Sequence, residues 1–160
     1  MKFKTLYFTE EEEFRDGHSA PRKDTTDVKV KMEDGGDFSL REVAQGYHIQ
    51  PDDYFDPRTG ARDYMYNDTP GRQSASAIDN VRRALKNDIE RNVQAYRSVP
   101  NDVDVNKFIN GDWISFSKQY AINHGEHRFG EGEYKIIEQT VTPDEVWWDG
   151  NDINEWGYDK

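Results

Sequence analysis

Asn110-Gly111-Asp112-Trp113-Ile114-Ser115-Phe116-Ser117-Lys118-Gln119-Tyr120 is the stretch that decides how this chain folds. Apolar Ile114 and Phe116 alternate with Ser115 and Ser117, and a period of two marks a strand over Asp112 to Phe116. Ser117 is a capping residue type, so a helix is expected from Lys118 to His124, stopped by Gly125. Two hydroxyls on one strand face suit holding a neighbouring polar side chain. A helix cap accounts for Ser117 alone and leaves Ser115 unexplained.

Working outward, Val93 to Val99, Tyr134 to Val141, Val146 to Trp148 and Ile153 to Tyr158 read as further strands. Upstream, Ala77, Ile78, Val81, Ala84 and Leu85 recur at helical spacing and predict a helix over Ser74 to Lys86. Ser39 with Glu42 forms a capping box opening a short helix, Leu40 to Gln45, which Gly46 ends. Thr26 to Met32 alternates like a short strand before the turn Glu33-Asp34-Gly35-Gly36. Tyr47 to Gly71 mixes Pro, Asp, Gly and aromatic residues and reads as an ordered loop. Helical material followed by a sheet gives an α+β fold. Residues 1–160 form one domain, without repeat or linker.

Aliphatic residues are sparse, since hydrophobic and charged residues stand at 34% and 33%, but 13% aromatic residues supply the apolar area for one core. The net charge of -11 opposes direct binding to a phosphate backbone, which needs clustered Lys and Arg. The same carboxylates could instead imitate nucleic acid and occupy a basic partner. The absence of cysteine excludes disulfides, thiolate nucleophiles and Cys-ligated zinc. No apolar run reaches membrane-spanning length, and Met1 to Thr9 is too short for a signal peptide, so a soluble cytoplasmic protein without membrane partners is expected.

Chemistry concentrates in the sheet-forming half. Arg97 sits inside an apolar strand, where its guanidinium needs a phosphate, a carboxylate or an internal ion pair. Glu155 lies among apolar and aromatic neighbours, so those neighbours would set its orientation, unless it faces solvent. His124 and His127 match no metal-ligand frame and read as a solvated loop, so no metal is expected.

The order strand arginine (Arg97), Ser-x-Ser strand leading to a helix (Ser115-Phe116-Ser117), then late strand glutamate (Glu155) resembles the R-S-E pattern of ADP-ribosyltransferases. The surrounding words, Asn110 to Ser115 and Trp148 to Tyr158, resemble the ADP-ribosyltransferase-like domains of phage and mobile-element polyvalent proteins. Phe14 to His18 and Gly46 to Phe55 are similar to the leading part of those domains. The resemblance implies a split β-sheet core in the C-terminal half, with helices and ordered loops from the N-terminal half. It also implies NAD as co-substrate and an ADP-ribose acceptor in a bacterial host cytoplasm, most simply a host protein. On that footing Arg97 grips the dinucleotide's phosphate or ribose, Ser115 supports the nicotinamide pocket, Ser117 orients Glu155, and Tyr120 stacks on nicotinamide. Glu155 then stabilises the charge that develops on the ribose. Family members that modify arginine carry Glu or Gln two residues before the final glutamate; Ile153 stands there, which leaves Asn151, Asp152 or Asn154 to orient an acceptor. The alternatives are a NAD glycohydrolase and a non-catalytic acidic protein that blocks a nucleic-acid-binding partner, such as a host defence protein.

Overall fold

The structure is a computed structural model that describes residues 19–47 and 71–160. The sequence blocks Phe14 to His18 and His48 to Phe55, and most of the expected loop up to Gly71, lie outside the described residues.

Asp27 starts the first helix, α1 (Val28–Asp34), by accepting the Lys29 amide, and Gly35 at φ 87° ends it. A strand was expected over Thr26 to Met32, and the reason for the difference is Lys31. This lysine is 1% exposed, with its Nζ 3.0 Å from Glu42 Oε1 and 5.1 Å and 5.6 Å from the Phe38 and Trp147 ring centres. A residue that alternation assigns to solvent is thus turned inward, and an aspartate cap outweighs the β-like pattern.

After β1 (Phe38–Ser39) comes α2 (Leu40–Ala44), opened by the expected capping box: Ser39 Oγ accepts the Glu42 amide and Glu42 Oε2 accepts the Ser39 amide. Glu42 therefore serves two elements at once. Next, α3 (Arg72–Lys86) buries Ser74, Ala75, Ile78, Val81 and Ala84 and packs against α2. The remaining elements are β2 (Val93–Pro100), β3 (Asp112–Ile114), α4 (Lys118–Phe129), β4 (Tyr134–Val141), β5 (Val146–Trp148) and β6 (Trp156–Tyr158).

Two antiparallel sheets result, with four helices among the described residues, an α+β arrangement. One sheet has the order β1-β5-β6-β3; the other is β2 paired with β4 along its whole length, from Val93 opposite Val141 to Pro100 opposite Tyr134. The expected strand Asp112 to Phe116 is shorter because the chain changes sheets: Ile114 pairs with Trp156, whereas Ser115 exchanges both backbone hydrogen bonds with Tyr96, at 2.8 and 2.9 Å. That bridge joins the two sheets. The last strand begins at Trp156 instead of Ile153, since Ile153 to Glu155 form a turn in which the Glu155 amide donates to the Asp152 carbonyl. Helix α4 runs through Gly125 to Phe129. Gly125 does not stop it; the Tyr134 ring lies where a Cβ would stand, and Gly130 at φ 100° is the terminator.

Arg22 and the Lys23 amide both bind the Asp159 carboxylate, strapping the start of the described chain to the end of β6. The Arg22 hydrogen bond holds the Asp159 carboxyl below its usual range, against the opposing effect of burial. Gly157 on β6 lies under the Pro21 carbonyl, in the space a Cβ would need. Gly157→Ala is accordingly expected to cost about 1–3 kcal/mol through forced backbone displacement. The urea midpoint checks this, and an unchanged midpoint would mean that Pro21 does not cover β6. Among the described residues, no helix is long and apolar enough to cross a membrane.

Candidate active site

The junction of the two sheets carries a cleft, and β2 supplies its first wall. Arg97 is 8% exposed and lines this cleft. Its Nη1 donates to the Trp113 carbonyl at 2.6 Å and its Nη2 lies 3.7 Å from Asp112 Oδ1. The guanidinium therefore ties β2 to β3 and places a positive charge at the cleft. An internal ion pair, one of the partners the sequence allows it, is present with Asp112, and the same arginine still borders the opening.

The serine pair builds the second wall by relay. Ser115 lines the cleft, and its Oγ accepts the Ser117 amide at 3.0 Å. Ser117 is buried, and its Oγ accepts the Tyr120 amide at 3.1 Å as the cap of α4. Tyr120, on the first turn of α4, donates its hydroxyl to Glu155 Oε1 at 2.6 Å. Tyr120 is thus the residue that holds Glu155. Ser117, expected to do so, acts one step back by fixing the start of α4. Ser117→Ala is expected to cost about 1 kcal/mol of stability, the usual loss on removing a cap, with far less effect on turnover than a change at Glu155. Thermal unfolding and steady-state rates measured together check this, and a turnover loss as deep as that of Glu155→Gln would place the hydroxyl in the chemistry.

Glu155 is positioned from the other side by a turn of buried hydrogen bonds. Trp156 Nε1 donates to the Ile153 carbonyl at 2.7 Å, the Asn154 amide to Asp152 Oδ1 at 2.8 Å, and Trp148 Nε1 to the Asp152 carbonyl at 2.8 Å. Asn154 is itself buried and accepts the Ser74 hydroxyl at 2.9 Å. Asp152 and Asn154 therefore serve the turn, Ile153 faces the core, and Asn151 is the exposed member of the group.

The structure thus gathers Arg97, Ser115, Tyr120 and Glu155 around one cleft, while Ser117 stands behind it. It adds a residue that the sequence reading placed in a solvated loop. His124 lies on α4, one turn after Tyr120, lines the cleft, and has its Nδ1 2.9 Å from Ser98 Oγ. The signal that could have found it is the i, i+4 spacing from Tyr120. The expected helix, Lys118 to His124, contains that spacing, but the histidine was grouped with His127 in a solvated loop. His127 is exposed. No group of three His, Cys, Asp or Glu side chains is placed to hold a metal ion among the described residues.

The cleft opens to solvent and has a free volume of ≈ 40 Å³, room for water. Tyr120 and Glu155, joined by their hydrogen bond, both belong to its lining.

Comparison with protein-family models, curated proteins and solved structures returned no match. The chemistry of the cleft therefore rests on its geometry and on the sequence pattern that it assembles.

Proposed function

We propose that this chain is an NAD-dependent mono-ADP-ribosyltransferase, acting in a bacterial host cytoplasm on a macromolecular acceptor. The fold's finer reading belongs to the same proposal: the two antiparallel sheets, joined at Tyr96 and Ser115, form an ADP-ribosyltransferase-like split core. The observation that carries the proposal is the convergence of Arg97, Ser115, Tyr120 and Glu155 on one cleft from separate segments of the chain.

In the reaction the bond between nicotinamide nitrogen and ribose C1′ breaks, and its electron pair leaves with nicotinamide. Positive charge develops on the ribose, and a carboxylate beside it stabilises the transition state more than the ground state. Glu155 is the carboxylate in the cleft. An acceptor nucleophile then forms the new bond to C1′ and loses its proton. Arg97 supplies a fixed cation for the phosphate or ribose of the dinucleotide. Tyr120, hydrogen-bonded to Glu155 Oε1, orients the carboxylate, whose other oxygen would accept a ribose hydroxyl, while the Tyr120 ring would stack on nicotinamide. Ile153, buried where arginine-modifying enzymes carry Glu or Gln, speaks for an acceptor other than arginine.

The test is incubation with labelled NAD and a bacterial lysate, with Glu155→Gln alongside. Label transfer that the variant loses supports a transferase and exposes its acceptor. Nicotinamide release without transfer supports a NAD glycohydrolase at the same cleft. Neither signal, together with no NAD binding, overturns the proposal in favour of a non-catalytic acidic binder.

A further inference from the structure

The chain carries 32 carboxylates against 21 Lys and Arg, yet from Arg72 to Arg97 the balance reverses. Arg72, Arg82, Arg83, Lys86, Arg91 and Arg97 face only Asp79, Asp88 and Glu90 there. Arg82 is paired with Asp79 and Arg97 ties β2 to β3. Arg72, Arg83 and Arg91, by contrast, make no ion pair and no side-chain hydrogen bond among the described residues. In a chain with so large a surplus of carboxylates, three unpaired arginines in one region are not what random placement gives.

All three line one continuous depression along α3. Its larger part, ≈ 570 Å³, is bordered by Arg72 and Arg91, has no carboxylate in its lining among the described residues, and includes Lys118, which is bound by Glu138. The adjoining part, ≈ 280 Å³, is bordered by Arg83 and Arg91. Asn80 and Arg91 belong to both. Its one carboxylate, Glu90, is held by Arg41 at 3.1 Å. Between the cations the walls carry side-chain amides, Gln73, Asn92 and Gln94, and the half-buried ring of Tyr96, with buried Phe116 beneath. Tyr96 also lines the cleft, so the groove and the cleft adjoin.

We infer that this groove binds a single strand of nucleic acid, with arginines on its phosphates and the amides and the Tyr96 ring on its bases. Guanidinium forks match phosphate oxygens in pairs. Amide side chains match base edges, and aromatic rings offer stacking surfaces that every base can use. An acidic peptide would satisfy the arginines but leave the amides and the Tyr96 ring without a purpose. A duplex would press its second strand against the carboxylate-rich remainder of the surface. The whole-chain charge, which opposes phosphate binding, hides this local reversal. The inference goes beyond the proposed transfer reaction, because strand binding needs neither NAD nor Glu155.

The experiment is fluorescence anisotropy of a labelled short single-stranded RNA with the full chain across a salt series. Three phosphate contacts at about 0.7 each give an expected log–log salt slope of about −2. The double variant Arg72→Glu, Arg91→Glu is expected to weaken binding by about tenfold or more with an unchanged thermal midpoint, because both side chains are exposed and unpaired. Glu155→Gln is expected to bind the RNA as the parent does, which separates this inference from the reading of the cleft. Three results would each overturn it: no binding at low salt, binding indifferent to the double variant, or equal competition by a polyglutamate peptide, which would assign the groove to acidic polypeptides.

Discussion

Glu155→Gln is expected to lower NAD turnover by about 10²–10³-fold, the loss typical when one preorganised electrostatic contact to a transition state is removed. NAD affinity and the thermal midpoint should change little. The variant keeps shape and one carbonyl oxygen, so the Tyr120 hydroxyl that now donates to Oε1 at 2.6 Å still has an acceptor. What disappears is the negative charge at the ribose. Because only an interaction stronger in the transition state accelerates chemistry, the loss should fall on kcat and on kcat/KM alike, with KM nearly constant. A rise in KM at unchanged kcat would reassign Glu155 to substrate binding. Equal turnover in the variant would remove it from the mechanism altogether.

The elements that the sequence made legible are those whose local chemistry and tertiary role agree. The capping box at Ser39 and Glu42, the apolar stripe of α3, and the strands Tyr134 to Val141 and Val146 to Trp148 were all readable, because propensity, pattern and burial point the same way in each. The misread elements are those in which a distant contact decides. Lys31 turns inward because the rings of Phe38 and Trp147 and the Glu42 carboxylate receive it, which no window around Thr26 to Met32 contains. Gly125 lies mid-helix because Tyr134 presses against it, although glycine near a helical run usually reads as a terminator.

The same division holds in the cleft. Arg97, Ser115, Tyr120 and Glu155 were named from residue type and order, and they do line one opening. Their connections were not legible. That Tyr120 rather than Ser117 reaches Glu155 depends on how α4 leaves the sheet junction. His124 stood one turn from Tyr120 in the expected helix, but its place in the cleft depends on how α4 packs on β2. A sum of charge over the whole chain is likewise silent about where arginines collect.

Trp156 couples the stability of the fold to the placement of Glu155, and its removal is expected to give the largest structural effect. The side chain is fully buried, stacks on Trp148 with ring centres 5.4 Å apart, and meets Phe116 at 4.9 Å. Trp156→Ala empties the centre of the four-stranded sheet's inner face, at a cost of about 3–5 kcal/mol. Against a total stability of about 5–15 kcal/mol, that is enough to leave a visibly unfolded fraction, read as a lowered urea midpoint. Trp156→Phe separates packing from positioning. It keeps an aromatic ring but deletes the Nε1 donor that holds the Ile153 carbonyl at 2.7 Å, leaving that carbonyl without its tryptophan donor at a cost of about 1–3 kcal/mol. The turn from Asp152 to Glu155 then loses one of its ties directly beside the carboxylate. In the folded Phe variant, kcat should fall while NAD binding persists, because a misplaced carboxylate weakens transition-state stabilisation before it weakens ground-state contacts. If the Phe variant were destabilised yet fully active, the tryptophan would be a core residue alone, and the Tyr120 hydroxyl would suffice to place Glu155.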